Sequence, residues 1–77
     1  MYYVTMTDSF MSGWGKAEGR INKFVVVCDS YSQAEEIAQK AGRRHEMKYV
    51  NISKRKPYYS SNRYLTSWSE YKDIHWK

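Results

Sequence analysis

The sequence predicts an α+β fold, a β-β-α-β-β chain whose single helix packs on one face of a four-stranded antiparallel sheet. Three observations predict it. The first is an apolar run, Phe24-Val25-Val26-Val27-Cys28, followed by Ala34, Ile37, Ala38 and Ala41 at the i, i+3, i+4, i+7 spacing of one buried helical face. The second is period-two alternation of apolar and polar residues in three further segments, 2–7, 47–53 and 63–68. The third is punctuation: Gly13, Gly15 and Gly19 interrupt one connection and Pro57 another. A right-handed crossover makes the third strand parallel to the second. Setting it beside the first strand makes every neighbouring pair antiparallel, in the order 2-1-3-4, and leaves one sheet face open. The 77 residues suit a single domain, 1–77.

The elements follow in order. In the first strand Tyr2, Val4 and Met6 alternate with Tyr3, Thr5 and Thr7, and β-branched and aromatic residues dominate. Asp8 to Arg20 is a long loop, and Phe10, Met11 and Trp14 within it either fold back as a small core or present a contact surface. The second strand, Ile21 to Asp29, has Phe24, Val26 and Cys28 on one face and Val25 and Val27 on the other, so both faces expect contacts. Ser30 reads as a helix N-cap and Gln33 completes a capping box. Glu35 and Glu36 early in the helix, with Lys40, Arg43 and Arg44 late, complement its dipole, and Gly42 reads as the C-cap. Met47 to Ser53 is the third strand, with Val50 and Ile52 on one face and Tyr49 and Asn51 on the other. Lys54-Arg55-Lys56-Pro57 ends it, since Pro57 lacks a donor. After a loop, Arg63 to Trp68 is the fourth strand. The tail, Ser69 to Lys77, is expected to dock through Tyr71, Ile74 and Trp76.

Composition narrows the setting. Cys28 is the only cysteine, so no intrachain disulfide braces the fold, which fits a reducing compartment. No apolar run approaches a membrane span, and the first residues lack a signal peptide's pattern; a cytoplasmic protein is expected. Eight Tyr, three Trp and two Phe exceed what a small core absorbs, so several are expected at the surface as contact residues. The net charge is +5, and its cations crowd between Gln39 and Arg63, where Glu46 is the only acid. Such a stretch favours an anionic partner, or else simply solubilises the surface.

Catalytic patterns fail on count or arrangement. One Cys with His45 and His75 gives no metal-ligand spacing. The serines form no nucleophile elbow, and Cys28 in an apolar strand reads as a packed hydrophobe. Gly13-Trp14-Gly15-Lys16-Ala17-Glu18-Gly19 precedes a strand and matches no phosphate-loop pattern; the adjacent Glu35 and Glu36 do not converge. A non-enzymatic protein without cofactor or metal is therefore expected. Binding is the stronger reading. Lys54-Arg55-Lys56-Pro57-Tyr58-Tyr59 and Arg63-Tyr64 interleave phosphate-binding cations with rings that stack on bases. Arg43, Arg44 and Lys48 extend the charge, and Trp14, Tyr58 and Tyr59 supply contact area. Tyr, Trp and Arg are equally the anchors of protein interfaces, so a protein and a nucleic-acid partner both remain open, as does a homodimer.

Tyr2-Tyr3-Val4-Thr5-Met6-Thr7-Asp8, Phe10-Met11-Ser12-Gly13-Trp14-Gly15, Met47-Lys48-Tyr49-Val50-Asn51-Ile52 and Pro57-Tyr58-Tyr59 resemble a family of short uncharacterised proteins from phages and other mobile elements. The size, the basic charge and the β-β-α-β-β order are also similar to those of some anti-CRISPR proteins, small inhibitors that block host surveillance complexes by binding. That resemblance implies a stoichiometric inhibitor of a CRISPR-type or other nucleic-acid-handling complex in the host cytoplasm, and it assigns no residue a role. The alternative is a small module that binds DNA or RNA directly with the same patch.

Overall fold

A computed structural model describes residues 1–9, 12 and 18–74. Four strands and one helix follow the expected order: β1 (Tyr2–Asp8), β2 (Ile21–Cys28), α1 (Tyr31–Gly42), β3 (Met47–Ser53) and β4 (Tyr64–Glu70), then a short 3₁₀ turn, Tyr71–Asp73. The Ser30 hydroxyl caps α1 by accepting from the Gln33 amide at 3.3 Å, and the Gln33 side chain accepts in return from the Asp29 amide at 2.8 Å. Gly42 is the last helical residue and Arg43 the C-cap. Ser69 and Glu70 belong to β4 rather than to a tail. Among the described residues no helix is long and apolar enough to cross a membrane.

The sheet is mixed, in the order β3-β1-β2-β4. β1 pairs antiparallel with both β2 and β3, but β4 lies beside β2 and runs parallel to it. This corrects the expected all-antiparallel 2-1-3-4 arrangement, which placed β4 next to β3. The reason lies in β2, whose Val25 and Val26 point to opposite faces and are both fully buried. A strand apolar on both faces belongs in a sheet's interior, with a neighbour on each side and cover above and below. The expected order would have stranded it at an edge.

With β3 and β4 at opposite edges and running the same way, the 54–63 connection must cross the sheet. It crosses the face away from α1. Lys56 reaches Trp68, Tyr59 packs on Tyr64, and Lys23 lies by both tyrosines, all on the side of Val25. The first crossover, through α1, moves toward β3 over one face; the second moves back toward β4 over the other. Reversing both face and direction preserves the hand, so the two connections wind around the sheet in one sense.

The core lies between sheet and helix. Val4, Met6, Val26, Cys28, Ala34, Ile37 and Ala41 form it, with Tyr2, Phe24, Ile52, Tyr71 and Ile74 packed at its margin. Docking of the chain's end through Tyr71 and Ile74 is as expected; Trp76 lies outside the described residues. β3 carries one irregularity. Tyr49 and Val50 together oppose Met6, a β-bulge, and Tyr49 takes the left-handed φ of 56° while 83% exposed.

Tyr71 also ties the chain's end to the helix, its hydroxyl donating to Glu36 Oε2. That bond is the main reason the Glu36 carboxyl lies below its ordinary value and the Tyr71 phenol above its own; Lys40, 3.5 Å from Glu36, adds to the first. The depressed Glu36 contributes stability that is present above the ordinary carboxyl value near 4.5 and is lost as pH falls through the folded value. The raised Tyr71 contributes stability present below the ordinary phenol value of 10.0 and lost as pH rises through the folded one. Tyr71→Phe should remove the second contribution and the larger part of the first, leaving the share that Lys40 supplies to Glu36. Urea unfolding of the variant at acid, neutral and alkaline pH should give a flatter profile than the parent's, and superimposable profiles would contradict the pairing.

Candidate binding surface

The sheet register sorts the second face into rows. Lys48, Thr7, Lys23 and Thr66 are successive neighbours across β3, β1, β2 and β4. The next row is Asn51, Thr5, Val25 and Trp68, and the third is Ser53, Tyr3, Val27 and Glu70. The face is thus basic at one end and acidic at the other, with aromatic rings between.

The 54–63 strap lies on this surface. The Lys23 ammonium donates to the Thr7 hydroxyl at 2.6 Å and sits 5.4 Å from the Tyr59 ring centre and 5.8 Å from that of Tyr64. Tyr59 and Tyr64 pack at 5.2 Å with a tilt of 56°. Lys56 stands 5.4 Å above the ring of Trp68, which stays 44% exposed. Each cation–ring contact is worth about 0.5–1 kcal/mol at an exposed site, enough to orient the strap without burying the charge. Tyr58, 88% exposed, projects from the middle of the strap. The strap's start is fixed by Ser53, whose hydroxyl accepts from the Arg55 amide and donates to the Arg55 carbonyl, both at 3.1 Å. Arg63 closes it, its carbonyl accepting from the Ile21 amide at 2.9 Å.

Of the ten residues singled out from sequence, Lys48, Arg55, Lys56, Tyr58, Tyr59 and Arg63 thus lie on the strap, at its ends or on the face it crosses. Three do not join them. Lys54 turns to the helix side, 5.9 Å from the Tyr2 ring. Arg43 is exposed at the end of α1, and Arg44 is tied to Glu46 at 2.6 Å. Glu46 is held below the usual carboxylate range, first by its own backbone amide and further by Arg44, so Arg44 adds little net charge to the surface. Lys48 and Lys54 stand at opposite ends of β3, roughly 20 Å apart by strand rise. The tenth, Trp14, lies outside the described residues, as do Phe10 and Met11.

Tyr64 was read from sequence only as part of the interleaved Arg63-Tyr64 pair, and two residues of this surface, Lys23 and Trp68, were not among those expected. Lys23 had a signal, being a lysine in register with Val25 and Val27 on an otherwise apolar strand face. Trp68 joins only through the parallel β2–β4 pairing, which local sequence does not specify.

Cys28 is buried and free, and burial, helped by Asp29, pushes its thiol above the ordinary value, consistent with a packing role. Among the described residues no group of His, Cys, Asp and Glu side chains is placed to hold a metal ion. Compared with known proteins, the chain matches no family model, no curated protein and no solved structure.

Proposed function

We propose that this chain is a non-catalytic binding protein of a phage or mobile element. It attaches to a nucleic-acid-handling complex of the host, as anti-CRISPR proteins do, and occludes the surface where that complex holds its target. The observation that supports this reading is the strap. It carries Arg55, Lys56 and Tyr58 outward on a segment anchored across a rigid sheet, beside Lys23, Tyr59, Tyr64 and Trp68. A positive, aromatic surface of this kind fits an acidic patch on its partner rather than the cationic groove that holds a polyanion, so the chain docks on acidic surface bordering that groove and occludes it by its bulk. The size, charge and element order that resemble small phage inhibitors point the same way.

Direct binding to single-stranded DNA or RNA is the second reading. It is favoured by the alternation of cations and ring faces along the second sheet face, since bases stack on such rings with little regard to sequence. The two readings separate in one experiment. Tagged protein is used as bait in bacterial lysate with and without nuclease, and the captured complex is then assayed for nucleic-acid binding. Occlusion predicts a nuclease-resistant protein partner whose nucleic-acid binding falls as the chain is added. Recovery of nucleic acid alone, with affinity falling steeply as salt rises, supports the second reading and contradicts the first.

A further inference from the structure

We infer that the outer edge of β4 pairs with a second copy of this chain, joining two sheets antiparallel about a two-fold axis near Ser67. The sheet's two edges are unlike. At β3 the edge is blunted: a bulge interrupts it at the left-handed Tyr49, and the Ile52 amide is taken by the Asn51 side chain at 3.0 Å. These are the devices by which soluble proteins block strand addition. β4 has none of them. Its seven residues, Tyr-Leu-Thr-Ser-Trp-Ser-Glu, keep unbroken register with β2 and contain no proline and no charge before Glu70. Among the described residues no strand pairs with its outer side.

The backbone phase of that edge follows from one bond. The Ile21 amide donates to the Arg63 carbonyl, so in the parallel ladder Leu65, Ser67 and Ser69 turn their backbone groups to β2. Tyr64, Thr66, Trp68 and Glu70 turn theirs outward, and the Tyr64 amide, bonded to the Ser60 carbonyl at 2.9 Å, conforms to this phase. Pairing centred on Ser67 sets Thr66 opposite the second copy's Trp68, each exchanging amide and carbonyl. It also sets the Tyr64 carbonyl against the second copy's Glu70 amide. Side chains fit the same register. Trp68, 44% exposed, gains a β-branched neighbour across the seam.

Charge selects the antiparallel sense and a copy as partner. One end of β4 is basic, with Arg20 bonded to the Ser61 carbonyl, Lys23 in the adjoining row, and Arg63. The other is acidic, with Asp29, Glu70 and Asp73 against Lys72, which is 3.2 Å from Glu70. A two-fold axis places the basic end of each copy at the acidic end of the other. Because the axis runs through the sheet, both straps emerge on one side, and the dimer presents the proposed binding surface twice.

The test is sedimentation of the full chain over a wide concentration range, alone and as variants. The wild type should sediment at twice the monomer mass at high concentration. Thr66→Pro removes an outward amide and no β2 bond, and should raise the dimer Kd at least about tenfold with an unchanged circular dichroism spectrum. Arg63→Glu and Glu70→Lys should each raise Kd about tenfold, and the double reversal should restore it toward the wild type. The charge series decides the matter even if the proline variant does not fold. A wild type that stays monomeric, a folded Thr66→Pro that dimerises as well as the parent, or a double reversal no better than the singles overturns the proposal.

Discussion

Replacing Ile37 with alanine should cost about 2–5 kcal/mol, the range for truncating a buried aliphatic chain in a core that relaxes only partly. The size of the effect follows from what surrounds it. The fully buried residues of α1 are Ala34, Ile37 and Ala41, with Ala38 half-buried beside them and the Tyr31 ring packed edge-on against Tyr2, so Ile37 is the one long aliphatic side chain that the helix buries in the core. The alanines bring the helix axis close, and Ile37, 1% exposed, fills what space is left above Met6, Val4 and Val26. No bulky neighbour on the same helical face can swing in to fill the cavity. A 77-residue domain commands only about 4–12 kcal/mol of net stability, so the loss is a large share of the total. Thermal melts should show a fall in Tm of roughly 10–30 °C. A fall under about 5 °C would mean that the helix is not held by this side chain.

The second large effect concerns binding. Reversing Arg55 and Lys56 together, to glutamate, should weaken partner binding by on the order of 100-fold or more, the scale of disrupting charged anchors at an interface. The reversal takes the net charge from +5 to +1, four units removed by two reversals. Both residues are exposed, and within the chain the reversal gives up the stacking of Lys56 on Trp68, worth at most about 1 kcal/mol. Fold and function should therefore separate: a melt within a few degrees of the parent, and capture abolished.

Much of this architecture is written in local sequence. The 3.6-residue period of Ala34, Ile37, Ala38 and Ala41 locates the helix, Ser30 and Gln33 start it, the apolar run Phe24–Cys28 locates β2, and alternation locates the other three strands. Local patterns fix which elements form and which face each buries. They do not fix which edge the last strand chooses, because that choice rests on long-range pairing. Here the information was present in another form. Val25 and Val27, opposite Phe24 and Val26, mark β2 as interior, and interior placement requires a partner beyond β1. The 54–63 segment, too long for a tight hairpin and containing Pro57, is long enough to cross the sheet. The same long-range step decides the candidate surface. Residues close in sequence, such as Lys54 and Lys56, part to opposite faces, whereas Lys23, Lys56, Tyr59 and Trp68, scattered along the chain, meet. The left-handed Tyr49 had no cue, since that conformation usually recruits glycine or asparagine.

The proposed surface is tested most directly by capture from nuclease-treated bacterial lysate with three baits side by side: wild type, the Arg55→Glu/Lys56→Glu double variant, and an Arg43→Glu control at the far end of the helix. A surface built on the strap predicts one protein partner retained by the wild type and the control, and absent from the double variant while its melt stays unchanged. Full capture by the folded double variant would contradict it.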